Sequence, residues 1–261
     1  MALTERQVTT WASYLADAIA NQTEVAAISK TLDLSVDDAY RIQAAGIEAR
    51  LANGETIIGA KTGLTSRAKQ LQMGVEEPIF GYLTDSMLLD TEQTVALDTL
   101  VHARCEPEIV FRLADDLEGA TVTSHDVLDA TASVHAGIEI IDSRYEKFSF
   151  TLPDVIADNT SAARFIVGTV GVAPRDVDLT LLGCIFEHNG TIMSTATGAA
   201  LLGDPASCVA MLVRHLSKHR RRLEAGSTIL AGALTDAVAL EAGDVVTARF
   251  GSLGEVKAMA I

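Results

Sequence analysis

Glu106 and Glu108, in Cys105-Glu106-Pro107-Glu108-Ile109-Val110-Phe111, are the residues whose type and spacing best suit shared chemistry. In an extended chain alternate side chains project from one face, so these two carboxylates stand ~6 to 7 Å apart and can share a cation. The competing reading is a solvated edge-strand pair, and Pro107, which cannot donate to a sheet ladder, suits an edge or a strand start. Glu139 lies inside the apolar run Ala136-Gly-Ile-Glu-Ile-Ile141. A carboxylate buried there without a partner is costly, so it requires a cation or a lysine. Three carboxylates with no patterned Cys or His suit a hard, oxygen-preferring ion, Mg²⁺ or Mn²⁺, with positions left for water and a chelating substrate; zinc fits poorly.

Lys61 follows Ile57-Ile58 and precedes Gly63-Leu64-Thr65-Ser66, where a strand enters a loop of small residues. Its surroundings, Gly54-x4-Gly59-Ala60-Lys61-Thr62, nearly match a phosphate-binding loop, but Ala60 displaces the lysine from its required place after the second glycine. Taken alone, the residue reads as a snorkelling surface lysine. Two polar clusters, Asp142-Ser-Arg144-Tyr145 and Asp158-Asn-Thr-Ser161, either form turns and caps or orient a carboxylated substrate. The absence of G-x-S-x-G disfavours a serine nucleophile. His215 and His219 have i, i+4 spacing, but beside Lys218 and Arg220 to Arg222 they read as an exposed helix end.

The positioning elements are legible in outline. Thr4-x-x-Gln7 is a capping-box pattern ahead of Val8, Trp11, Leu15 and Ile19, which predicts a first helix. A second begins near Ser35, with Val36, Tyr40, Ile47 and Leu51 on one face and an exit at Asn53-Gly54. Strands are predicted over 106–113, 137–142, 181–187, 227–234 and 244–250, with a hairpin turn at Asn189-Gly190. A late helix starts at Asp204-Pro205 and buries Val209, Leu212, Val213 and Leu216. Short strands without regular helical alternation point to an α+β fold with an antiparallel or mixed sheet, and not to a doubly wound one. The organisation is a helical segment over 1–55 followed by a catalytic domain over 56–261.

Composition narrows the classes of function. The 261 residues are 48% hydrophobic and 21% charged, as in an ordinary globular domain, and the net charge of −15 repels nucleic-acid backbones. No apolar stretch approaches a spanning helix, and the N-terminal Met1-Ala-Leu-Thr-Glu-Arg6 lacks a basic-then-apolar leader, so a cytoplasmic protein without a membrane partner is expected. Cys105, Cys184 and Cys208, odd in number and without C-x-x-C spacing, read as small core residues.

Taken together, Gly59-Ala-Lys61-Thr-Gly-Leu-Thr-Ser66, Met73-Gly-Val-Glu-Glu-Pro-Ile-Phe-Gly-Tyr82, Glu106-Pro-Glu108, Glu139-Ile-Ile-Asp-Ser-Arg144 and Ala157-Asp-Asn-Thr-Ser161 resemble the hydratase/decarboxylase family of meta-cleavage pathways, related to fumarylacetoacetate hydrolase. Later segments, Leu202-Gly-Asp-Pro-Ala206, Gly232, Gly243-Asp244 and Gly251-Ser-Leu-Gly254, fit it too, so the likeness spans nearly the whole chain. The resemblance implies a mixed β-roll with peripheral helices and an N-terminal helical layer, a homo-oligomer, and a divalent metal held by Glu106, Glu108 and Glu139. It gives Lys61 a catalytic place and implies that Ile79, Leu83, Arg144, Tyr145, Asp158 and Ser161 serve the substrate. A complex with the pathway hydratase is implied by resemblance only.

Within the family, hydratase-like members usually read Pro-Asp-Phe/Tyr-Gly where this chain has Pro78-Ile79-Phe80-Gly81, and Ile79 cannot activate water. Arg144-Tyr145-Glu146-Lys147-Phe148 also resembles the decarboxylase version of that segment, whereas Gly81-Tyr-Leu-Thr-Asp85 occurs in hydratase-like sequences as well. The expected reaction is therefore metal-dependent decarboxylation of the dicarboxylate 2-oxohex-3-enedioate (4-oxalocrotonate) to 2-hydroxypenta-2,4-dienoate. Its C6 carboxylate is vinylogous to a β-keto acid, so the electrons released with CO₂ reach the C2 oxygen as a dienolate, which a chelated metal and Lys61 can stabilise. The alternatives are a 2-hydroxypenta-2,4-dienoate or homologous dienoate hydratase and, from another class, a non-catalytic partner subunit.

Overall fold

Thr4 opens the first helix, α1 (Glu5–Ala20), with the expected capping box: its hydroxyl accepts the Gln7 N–H and the Gln7 side chain accepts the Thr4 N–H. Ser35 caps α2 (Val36–Ala52) by accepting the Asp38 N–H. The buried face of α2 differs from the expected one. Val36 and Leu51 are each 39% exposed, while Ala39, Ile42, Gln43 and Ile47 face inward. Gln43 explains the rotation, because its amide donates to the carbonyls of Phe80 and Ile156 and so can enter the core with its polar group satisfied. The computed structural model describes residues 2–90 and 94–261, without the Gln72 side chain; Met1 of the 1–55 segment lies outside the described residues.

The chain then runs through β1 (Ile57–Gly63), α3 (Arg67–Met73), β2 (Ile79–Thr84), β3 (Leu88–Leu89), β4 (Ala103–Leu113), α4 (Ser124–Asp129) and β5 (Thr131–Asp142). It continues with α5 (Leu152–Ala157), β6 (Ala162–Val167), β7 (Gly183–His188), β8 (Thr191–Thr197) and α6 (Pro205–Lys218). The last strands are β9 (Thr228–Ala233), β10 (Val238–Ala239), β11 (Val245–Phe250) and β12 (Gly254–Met259). One sheet has the order β2-β1-β9-β4-β5-β6-β3, with β10 also on β4; it is mixed, being parallel at β1–β9 and β3–β6. The second sheet, β12-β11-β7-β8, is antiparallel, and Asn189 and Gly190 turn its β7–β8 hairpin with φ of 51° and 76°.

The main core fills the space between the sheets and α6, with Phe111, Val134, Phe186, Leu212, Ile229 and Val246 among its members. Each such burial is worth roughly 1.5–3 kcal/mol before entropy is counted. Alternation along β4 sends Cys105, Ile109 and Phe111 into this core and turns Arg104, Glu106 and Glu108 to the opposite face. The N-terminal helices form a layer that shares a smaller core with the rest of the chain, where Val8, Leu15 and Ile42 meet Ile79, Tyr145 and Val155. All three cysteines are free and buried. Among the described residues no helix is long and apolar enough to cross a membrane.

Two local expectations are corrected. Pro107 lies in a central strand, not at an edge: it sits opposite Ile138 of β5, and its carbonyl accepts the Leu234 N–H. The side on which its N–H is missing is the gap where the ladder passes from β9 to β10, beside an irregularity between Glu108 and Val110. His215 is not an exposed helix-end residue. Its ring is half-buried, with the rings of Tyr40 and Phe80 each 4.6 Å away, and only His219 remains exposed.

Candidate metal centre and active site

Antiparallel register across β4 and β5 sets Glu106 directly opposite Glu139, and the two-residue repeat of β4 brings Glu108 to the same face. Each of the three carboxylates offers an oxygen within 4.8 Å of the others, and all three residues are buried. Glu108 Oε2 accepts the Gly232 N–H at 2.7 Å, whereas Glu108 Oε1 and Glu139 Oε1 have no hydrogen-bond partner among the described residues. Burial pushes the Glu108 carboxyl well above the usual carboxylate range, and Glu139 adds to this against the pull of Lys61. Glu139 is raised too, chiefly by burial, with Lys61 opposing. Orphaned carboxylate oxygens converging on one point fit a divalent cation, and an all-oxygen donor set fits a hard one.

Lys61 enters from β1. Its Nζ stands 2.8 Å from Glu139 Oε2 and donates to the Thr160 carbonyl at 3.2 Å. Burial alone would lower its pKa, but Glu139, Glu108 and Glu106 outweigh burial and hold the ammonium above its ordinary value. The snorkelling reading fails, since Lys61 is 3% exposed. Lys69 of α3 approaches from the rim, 3.2 Å from Glu106 Oε1.

The acceptor for Lys61 comes from an unusual turn. Asn159, Thr160 and Ser161 have φ of 48°, 53° and 57°, the left-handed region that costs non-glycine residues energy. Asn159 holds the turn by bridging the N–H and carbonyl of Tyr82, and Thr160 Oγ1 donates to the Phe80 carbonyl. The turn thereby sets the Thr160 carbonyl against Lys61 and brings Ser161, whose hydroxyl has no partner among the described residues, into the cavity wall. Gly232 is equally constrained: its φ is +114°, and a Cβ there would come within 2.2 Å of Thr65 Oγ1.

A cavity of about 530 Å³ opens beside the cluster, with Glu106 in its wall. Lys61, Ile79 and Ser161 line it as expected, together with Thr62, Lys69 and Arg104. Leu83, Arg144, Tyr145 and Asp158 do not. Leu83 packs with Val110, Phe165 and Leu230. Arg144 is buried with its donors spent on the Asp158 carboxylate and on the carbonyls of Asp142 and Asp158, and the Tyr145 hydroxyl donates to the Asp154 carbonyl. Burial raises the Asp158 carboxyl to about 6, with Arg144 opposing. Arg144 anchors the 158–161 turn through Asp158, behind the cavity wall and not in contact with it.

Thr160 falls in the polar cluster 158–161 that the sequence offers, whereas Thr62, Lys69, Arg104 and Gly232 are site residues that the sequence reading does not single out for the site. Arg104 could have been singled out, because it lies two residues before Glu106 and so shares its face of the strand. Gly232 fits the family resemblance but has no local spacing signal for a site role, since its N–H reaches Glu108 only through the β4–β9 packing.

The family described as Fumarylacetoacetate (FAA) hydrolase C-terminal matches residues 56–259. The chain is 39% identical over 257 residues to a 4-oxalocrotonate decarboxylase of Pseudomonas sp. strain CF600, spanning 98% of this chain and 97% of the relative. It is 44% identical over 189 residues to a 2-hydroxypent-2,4-dienoate hydratase of Pseudomonas putida, spanning 72% of this chain and 85% of the relative. Its structure aligns with that of 4-oxalocrotonate decarboxylase from Pseudomonas putida G7, complexed with magnesium and adipate, at a TM-score of 0.97 and 38% identity, covering 100% of this chain and 99% of that one.

Proposed function

The chain belongs to the fumarylacetoacetate hydrolase family, among its meta-cleavage-pathway hydratases and decarboxylases, and on that footing we propose that it decarboxylates 2-oxohex-3-enedioate to 2-hydroxypenta-2,4-dienoate and CO₂. The observation that carries this reading is Ile79, an apolar, buried side chain in the cavity wall where hydratase-like sequences usually place an aspartate. Among the described residues, the only carboxylate lining the cavity apart from Glu106, in the carboxylate cluster, is that of Asp236, an exposed residue, so a water-activating base is poorly provided for. Decarboxylation needs none. The C5–C6 bond breaks, its electron pair forms C4=C5, the alkene pair moves to C2–C3, and the C2 carbonyl pair becomes an oxyanion that is protonated to the enol.

Glu106, Glu108 and Glu139 would hold a divalent cation, proposed as Mg²⁺ or Mn²⁺, and when bound it would supply Lewis-acid stabilisation to the oxygens of a 2-oxo acid. Lys61, kept protonated by the carboxylates, presents a fixed positive charge beside that position and can place a proton at the C2 oxygen. Ile79, Leu64 and Val155 exclude water from the wall. We further propose that copies of the chain associate, a reading supported by the exposed Ile185, Ile192 and Met193 of β7 and β8, and that the protein works beside a pathway hydratase. Purified protein with Mg²⁺, given the six-carbon diacid and the five-carbon dienoate separately, tests the activity. CO₂ from the diacid supports the decarboxylase; loss of dienoate absorbance without CO₂ from the diacid replaces it with the hydratase.

A further inference from the structure

Arg104 is the unpaired cation of the cavity among the described residues. Lys61 is engaged with Glu139 and Lys69 with Glu106, but the Arg104 side chain makes no hydrogen bond or ion pair with any described residue. Its guanidinium lies 4.3 Å from the centre of the Phe148 ring. That ring is itself held in place. Lys147 and Phe148 have consecutive φ of 57° and 55°, the Phe148 N–H donates to the Tyr145 carbonyl, and the Phe150 ring stands 5.4 Å away. Two left-handed non-glycine residues in succession are costly, and the observed consequence is an aromatic shelf under a cation that meets no anion among the described residues.

The spacing along β4 indicates what that cation meets. Glu108, Glu106 and Arg104 succeed one another on one face, so Arg104 is one repeat, ~7 Å, further out than Glu106. In an extended six-carbon chain C2 and C6 are separated by four carbon–carbon bonds, about 5 Å in projection. A dicarboxylate whose 2-oxo-acid end lies at the glutamates thus delivers its other carboxylate to the zone swept by Arg104. We propose that Arg104, on its Phe148 shelf, is the specificity residue for the distal carboxylate of the substrate; this rests on the dicarboxylate reading above.

The test uses two 2-oxo acids that differ only at the far end, 2-oxoadipate and 2-oxohexanoate, titrated calorimetrically into the Mg²⁺-loaded protein. Neither has the vinylogous path for CO₂ loss, so binding is read independently of turnover, and a protein that fails to release CO₂ from the unsaturated diacid can still succeed here. Wild type should prefer 2-oxoadipate by about tenfold or more, the strength of a charge-assisted fork. Arg104→Gln should erase the preference by weakening 2-oxoadipate alone, Arg104→Lys should retain part of it, and Phe148→Leu should reduce it. A wild type without the preference, an Arg104→Gln variant that keeps it, or its loss in Lys69→Gln and not in Arg104→Gln overturns the assignment.

Discussion

Lys61 Nζ and Glu139 Oε2 stand 2.8 Å apart with their side chains 4% and 0% exposed, a buried ion pair on two different strands. Glu106 and Glu108 lie beside it without a comparable internal cation at their shared focus. The site is therefore acidic as built, and its stability and its chemistry depend on the same charges.

Lys61→Met should lower kcat by about 10²–10³, the usual loss on removing a preorganised charge from an oxyanion, with a smaller change in KM. It also leaves Glu139 without its lysine, so the metal-free protein should lose roughly 3–5 kcal/mol in denaturant unfolding. A kcat equal to that of wild type would reduce the lysine to a structural role.

Glu106→Gln and Glu108→Gln should each weaken Mg²⁺ binding by tenfold or more in calorimetry, on the order expected when a ligand or its support is lost. Their metal-free melting temperatures should be no lower than wild type, because each removes one of the mutually repelling carboxylates, while the rise in melting temperature on adding Mg²⁺ should shrink. Unchanged Mg²⁺ affinity in Glu106→Gln would remove it from the ligand set.

Gly232→Ala combines φ of +114° with a Cβ 2.2 Å from Thr65 Oγ1, so it should destabilise by about 1–3 kcal/mol and displace the N–H that orients Glu108. A fall in both melting temperature and Mg²⁺ affinity is expected, in contrast to Glu108→Gln, which spares the first.

Arg144→Met should cost ~3–5 kcal/mol by leaving the Asp158 carboxylate buried and alone, and Arg144→Met with Asp158→Asn should recover much of it. Direct substrate binding by Arg144 would instead show as a raised KM that the double variant does not repair.

His215 is pulled from 6.5 to about 4, first by burial and then by His219 and Lys218 on its own helix. From α2 the ring faces Tyr40, with Asp37 and Arg41 on the same cleft, and Arg221 lies nearby. Folding favours the neutral ring, so its stabilisation is complete above pH 6.5 and is lost as pH falls toward 4. After allowance for partial solvent screening this amounts to on the order of 2 kcal/mol. Melting scans of His215→Phe should show a shallower acid decline than wild type over that window.

Much of the fold is legible in the sequence. Capping at Thr4, Ser35 and Asp204, the Asn189-Gly190 turn and the alternating runs of β4 and β5 are local signals, and local backbone chemistry obeys them. The face of α2 departs from its local pattern because Gln43 enters the core on two distant carbonyls, and Pro107 fits a central strand because of a ladder gap that one strand's sequence does not show.

For the site, the sequence alone offered three carboxylates as oxygen donors, two of them bound to one face by the pleat of a strand, while Lys61 by itself read as a surface residue. What only the tertiary structure decided was that Glu139 registers against Glu106, that Lys61 arrives from a third strand, and that Arg144 and Asp158 satisfy each other behind the wall while Arg104 stays unpaired within it. The physical reason is range. Periodicity and capping act over a few residues, whereas pairing of charges in a low-dielectric interior depends on which strands become neighbours.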